Sequence, residues 1–255
     1  MTGPVIAFLL TLAAAGRASA AGQDTSPAPA LHLKPAAVLS SGAQILHFQA
    51  VLERNYPLLE TALAWGLGGG IECAAQGLFD HQKTECAGST RRYDSDEMQA
   101  GLRWGTQSGR NAGSNYSAGA GWTRWYARCM SSDGGYSFSA RRYLWAETSS
   151  SMEDNGSRVI VALKGLRDQD AGNDTLAAAA SLELAPVIGL IPSGDFAVFL
   201  KNPGHRRRPW AAGVRVPFGQ CHLVCYVSNT RGTAAPDSLS GLTATHFNVR
   251  VHLAF

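Results

Sequence analysis

Cys221-His222-Leu-Val-Cys225, with His246 and His252 downstream, brings metal-binding residue types close together in the chain. Thiolate and imidazole are zinc ligands, and a structural zinc needs four of them converging on one point. This stretch reads as a strand, however, and successive strand side chains point to opposite faces. Cys221 and Cys225 then share one face and His222 takes the other, so the spacing does not build a metal site. Four strand positions also separate the two Cα atoms by about 13 Å, beyond disulfide reach. Catalytic motifs are equally scarce. The chain has no His-Glu-x-x-His and no Gly-x-Ser-x-Gly, and no Lys-Ser/Thr follows Gly66-Leu-Gly-Gly-Gly70 to make a phosphate loop. The glycine run reads as a hairpin turn. Ser228 with a nearby histidine is a conceivable nucleophile pair without a motif around it. No catalytic, cofactor or metal residue is expected, and no enzyme.

The remaining chemistry lies in charges set among apolar residues. Glu53, Glu60, Glu72, Arg103, Lys164, Glu183, Arg215, Arg250 and His252 each occupy one parity of a stretch whose other parity is apolar. Such residues line an interior shared by several strands. Oppositely charged walls suit a polar pore, and the same residues paired would instead plug it. Arg206-Arg207-Arg208 is a basic loop that could meet lipopolysaccharide phosphates. The formal charge of +3 is too small to argue for nucleic acid.

The elements that position these charges are strands. In Thr245–Phe255, Phe247, Val249, Val251, Leu253 and Phe255 share one parity, while His246, Asn248, Arg250 and His252 share the other. A transmembrane strand needs about 9–11 residues, apolar outward and polar inward. The same alternation runs through residues 44–53, 58–67, 71–79, 97–105, 195–202, 210–217 and 221–229. Strands are also placed near 116–128, 136–147, 158–167 and 175–187, the last Ala-rich but alternating. Residues 80–96, 148–157, 203–209 and 230–244 read as loops, and 68–70, 191–194 and 218–220 as turns. Long loops and short turns alternate, which places the long ones outside the cell. An open sheet edge in lipid would leave donors unpaired, so the sheet must close. The expectation is an all-β fold: a closed antiparallel transmembrane β-barrel of about 12 strands, within 10–14. Trp65, Trp104, Trp122, Trp125, Tyr126, Tyr136, Tyr143, Trp145 and Trp210 fall near strand ends, as interfacial girdles require.

Charged residues are only 16% of the chain, and glycine is frequent at 28; both suit a wall half of which faces lipid. Residues 4–15 are apolar and Ala18-Ser19-Ala20 follows, which reads as a cleaved signal peptide over 1–20. Residues 21–42, rich in Ala, Pro and Ser, read as a mobile periplasmic segment, and 43–255 as the barrel. Of five cysteines, Cys73 and Cys86 are the pair that a loop could bring together.

Two hairpins resemble known barrels. Asn55-Tyr-Pro-Leu-Leu-Glu60 followed by Trp65-Gly-Leu-Gly-Gly-Gly-Ile-Glu72 is similar to the early hairpin of barrels assigned to outer-membrane transport, among them a family named after a phenol-degradation pathway. Gly213–Thr230 resembles the penultimate hairpin of related barrels. The polar residues usual in the early turn are replaced here by Gly68 and Gly69. The terminal strand, ending on Phe255, resembles the insertion signal of Gram-negative outer-membrane barrels. These resemblances imply an outer-membrane location, contact with outer-membrane lipids and lipopolysaccharide, and recognition by the barrel-assembly machinery through Phe247, Val249, Val251, Leu253 and Phe255. They imply a passive channel or small-solute transporter. A plugged structural or assembly barrel is the alternative, and a lipid-modifying enzyme a weaker one.

Overall fold

The computed structural model describes residues 33, 36–52, 57–86, 89–107, 114–130, 135–202, 207–218, 221–230, 233, 238–239, 241–242 and 245–254. Twelve strands form one sheet: β1 (Gln44–Leu52), β2 (Pro57–Gly68), β3 (Ile71–Cys86), β4 (Ser89–Gly105), β5 (Ser114–Met130), β6 (Tyr136–Asp154), β7 (Ser157–Asp168), β8 (Asp174–Glu183), β9 (Ile191–Lys201), β10 (Trp210–Phe218), β11 (Cys221–Ser228) and β12 (His246–Ala254). Each pairs antiparallel with its neighbours in sequence, and β1 pairs with β12, which closes the barrel. Closure satisfies every ladder without an edge.

The alternation seen in the sequence sorts side chains between two environments. Leu59, Leu63, Trp65 and Leu67 on β2, Leu102 and Trp104 on β4, and Val159, Val161 and Leu163 on β7 are exposed on the outer wall. Glu60, Glu72, Gln99, Arg103, Lys164, Glu183, Arg215, Asn248, Arg250 and His252 are buried inside. An apolar belt of this extent around a monomer has hydrocarbon, not water, as its natural solvent. The Ala-rich stretch is strand β8, not helix, with Ala177 and Ala179 buried and Ala178 exposed.

Several local expectations change. Residues 80–96 are not a long loop: β3 and β4 stay paired as far as Cys86 and Ser89. A strand that has left the membrane has water on both faces, so the apolar period that marks a wall strand is absent there. The same register places Cys73 and Cys86 on one strand, about 40 Å apart at ~3.3 Å per residue, which excludes their disulfide. Residues 148–154 belong to β6, and the turn is Asn155-Gly156, both at positive φ (48° and 78°). That Asn-Gly pair is the strongest short hairpin signal in the chain. Residues 191–194 are likewise strand, paired with 212–215 of β10. Trp125, Tyr143 and Trp145 face the interior rather than an aromatic girdle, because the β5–β6 register gives them the lumen parity.

Part of the N-terminal segment is described. Of residues 21–42, Leu33, Ala36, Ala37, Val38 and Leu39 are buried, and the stretch from Val38 is hydrogen-bonded to the barrel. Residues 1–32, and the signal peptide with them, lie outside the described residues, as do Glu53, Arg206 and Phe255.

Candidate functional site

The lumen begins, at the rim that carries β1's start, with the N-terminal segment. Val38 donates its amide to the Thr106 carbonyl at 2.8 Å. Leu39 donates to Glu72 Oε2 at 3.1 Å. Glu72 and Arg103 are direct partners across the β3–β4 ladder, and Arg103 Nη1 reaches Glu72 Oε1 at 3.1 Å. Arg103 Nη2 continues to Ser117 Oγ at 2.8 Å, and Ser117 meets Ser149 at 2.9 Å. Gly66 makes this approach possible, since a Cβ there would run into the Ser40 carbonyl. Leu33 lies against another part of the wall. Leu33 donates its amide to Asp195 Oδ2 at 3.2 Å on β9, and its side chain packs against Ile160, Ala162, Ala179 and Ala197 of β7–β9.

Nearer the opposite rim, Thr233, Ser238 and Leu239 of the connection between β11 and β12 lie inside the lumen. The Thr233 amide donates to Glu60 Oε2 at 2.9 Å, and its hydroxyl donates to Glu60 Oε1. Gln76 Nε2 donates to Thr233 Oγ1 at 2.9 Å. Across the barrel, Ser238 lies 3.5 Å from Lys164 Nζ, which also faces Glu147 at 3.6 Å. Leu239 is 1% exposed, packed among Tyr143, Trp145, Leu166 and Ala177. Trp145 can lie flat on the wall because Gly101 and Gly121, opposite each other in the β4–β5 ladder, leave no side chain beneath the indole.

Elsewhere in the lumen the wall residues bind one another. Arg250 Nε donates to Gln49 Oε1 at 2.8 Å, and Nη2 donates to the Tyr226 hydroxyl at 2.7 Å. That hydroxyl donates to the same Gln49 oxygen at 2.9 Å. Glu183 accepts from both Arg158 and Arg215, the latter at 3.2 Å. His47 lies 3.4 Å from Glu60. His47, His252 and His222 stand directly opposite one another on β1, β12 and β11, with the first two rings 4.7 Å apart. Even so, among the described residues no group of three potential ligands is arranged to hold a metal ion. Cys221 packs on the outer face with Val251 and Leu253, while His222 is inside.

Glu60, Glu72, Arg103, Glu183, Arg215, Arg250 and His252 are therefore brought into one lumen, each within 7% exposure, and Glu53 is not described. Phe247 is exposed on the outer wall, whereas Val251 and Leu253, of the same parity, are covered by their neighbours there. Sequence reasoning missed Gln49, Tyr226, Asp195 and Leu239. Gln49 was visible on the polar parity of its strand, but nothing in the sequence marks Leu239 as an interior residue. Ser228 is not set up as a nucleophile. It is fully buried, donates its proton to the Thr230 carbonyl at 3.0 Å and accepts from Asn248 Nδ2 at 3.1 Å. A serine nucleophile must instead give its proton to a base.

An antiparallel barrel closed on itself, apolar outside and polar within, has the architecture of a transmembrane β-barrel. The fold is similar to the translocator domain of the autotransporter NalP from Neisseria meningitidis, with a TM-score of 0.50 and 12% identity over 84% of this chain and 88% of that one. Other structures similar to it are outer membrane phospholipase A from Escherichia coli (TM-score 0.43, 15% identity, 92% and 98% coverage) and a mutant of the TodX monoaromatic hydrocarbon channel (TM-score 0.40, 8% identity, 84% and 89% coverage). Likeness at these identities concerns the fold. No protein-family model and no curated protein matches the sequence.

Proposed function

We propose that the protein is a barrel of the Gram-negative outer membrane, delivered by a cleaved signal peptide at 1–20, whose lumen is closed in the resting form. The observation that carries this is the double filling of the lumen: Leu33 and residues 36–42 lie against its two sides at one level and Thr233, Ser238 and Leu239 occupy another. The inward carboxylates add to it by facing inward cations, Glu72 with Arg103 and Glu183 with Arg158 and Arg215. Paired charges leave little field for a passing solute. This favours a structural or assembly barrel, working through its wall and outer loops, over the passive channel that the lumen charges suggest by themselves. The rim bearing the 229–245 connection faces outward, since long loops lie outside and short turns inside. Assembly uses β12, whose outer face presents Phe247, Val249, Val251 and Leu253 to the barrel-assembly machinery.

Gated transport is the second reading, favoured by one observation. The described residues that fill the upper level, Thr233, Ser238 and Leu239, all belong to one connection, held at Glu60, at Lys164 and by Leu239, and no strand need move for them to leave. Planar bilayers separate the readings. The closed barrel gives no conductance as the native protein, and steps appear only when residues 232–241 are deleted together with a Gly66→Val change that evicts the N-terminal segment. Discrete steps from the native protein would refute closure. Steps from the loop deletion alone would favour gating. Labelling of Ser228 in folded protein by a serine-directed probe would revive the enzyme reading.

A further inference from the structure

Arg124 on β5 stands directly opposite Arg142 on β6, both exposed on the outer wall. Like charges facing each other across a ladder repel. Arg142 has a partner: its Nε and Nη2 donate to Asp170 Oδ1 at 3.1 and 2.7 Å. A guanidinium has five N–H donors, and Asp170 takes up Nε and Nη2 of Arg142, which leaves donors on Nη1 to spare. Arg124 has no carboxylate directly across from it, its two ladder partners being Met98 and Arg142. Asp96 is its diagonal neighbour, opposite Tyr126. Arg167, also exposed, follows on β7 opposite Leu144 and lies 3.8 Å from Asp174.

The position of the pair on the wall is as informative as its charge. One step toward the periplasmic rim on the same face are Trp122 and Leu144, opposite each other and exposed, at the edge of the apolar belt. One step and two toward the outer rim are Tyr126 and Phe138, with ring centroids 6.0 Å apart. The two arginines thus lie in the narrow zone between lipid-facing and water-facing wall, where phosphates of the outer leaflet sit. Guanidinium forks match phosphate oxygens geometrically and in charge.

We propose that Arg124 and Arg142 form a binding site for a phosphate of lipid A, with Trp122 and Leu144 against its acyl chains. The site rests on the membrane location and outward orientation argued above. Protein refolded into vesicles of phosphatidylethanolamine with bisphosphorylated lipid A is extracted in mild detergent, and retained lipid is counted by native mass spectrometry. Native protein should retain bisphosphorylated lipid A, and it should not retain the dephosphorylated form. Inorganic phosphate should not displace it, which distinguishes a lipid headgroup from a free-anion site. Arg124→Ala should weaken retention roughly tenfold, the loss of one charge-assisted contact. Arg124→Lys should restore part of it. Equal retention by Arg124→Ala, equal retention of dephosphorylated lipid A or of phosphatidylglycerol, or displacement by inorganic phosphate would each overturn the site. Heat-modifiable mobility of the same vesicle samples reports barrel folding separately. Its loss in native protein would overturn the membrane reading, whereas an intact shift with unchanged lipid retention would overturn the site alone.

Discussion

Glu72 and Arg103 are each nearly buried, and each depends on the other. Removing one partner of a buried ion pair leaves a charge without compensation, a loss of about 3–5 kcal/mol. Arg103→Leu should therefore lower the unfolding midpoint of the detergent-solubilised barrel markedly, measured by heat modifiability or urea titration. A shift no larger than that of an exposed control such as Arg167→Leu would contradict the pairing. Asp170 behaves oppositely, being in an exposed loop. Hydrogen bonds from the Arg142 side chain and amide hold its carboxyl below the usual aspartate range. A depressed folded-state pKa stabilises above the unfolded value and is lost as pH falls through the lowered one. The loop after β7 should thus loosen progressively below about pH 3.9, seen as faster exchange of the Arg142 amide. Asp170→Asn should abolish that pH dependence.

Two inserted segments distinguish this barrel from a bare wall. Leu239→Ala removes the apolar anchor of the upper loop, worth about 2–5 kcal/mol if the site cannot collapse. That cost should fall on the loop, because the twelve-strand ladder does not depend on it. Limited proteolysis should nick 229–245 in the variant while the barrel core survives. Gly66→Val should act at the other level, since its side chain would meet the backbone of Ser40. Protease should then trim the N-terminal segment from a barrel that remains folded. On β12, Val251 lies on the outer face, packed with Cys221 and Leu253. Val251→Arg forces an unpaired cation into that covered apolar cluster, which is strongly destabilising. It should reduce the yield of heat-modifiable barrel in a vesicle-refolding assay, where an Arg at the half-buried Ala254, at the strand's end, would be milder.

As a whole molecule, the barrel combines an outer surface suited to hydrocarbon with an interior that is occupied. Native protein in a planar bilayer should be silent, as argued above. The wall and its parity were legible from the sequence wherever a strand separates lipid from lumen, because the two solvents impose period 2. Glu60 against Leu59, and Asn248 against Phe247, show this directly. Where that contrast ends, legibility ended too: the β3–β4 extension and the Asn155-Gly156 turn lie at or beyond the rim, and the loops expected there were strands.

The sequence alone determined that strands of this parity must close into a barrel, since each apolar face needs lipid and each backbone donor needs a neighbour. It also determined which charges enter the lumen, because parity along a strand is local. Only the tertiary structure decided what those charges do there. Glu72 binds the Leu39 amide and Glu60 binds Thr233, contacts that depend on two irregular segments finding the interior. Nothing periodic marks such segments, and their path is set by the space that Gly66, Gly101 and Gly121 leave and by carboxylates on distant strands.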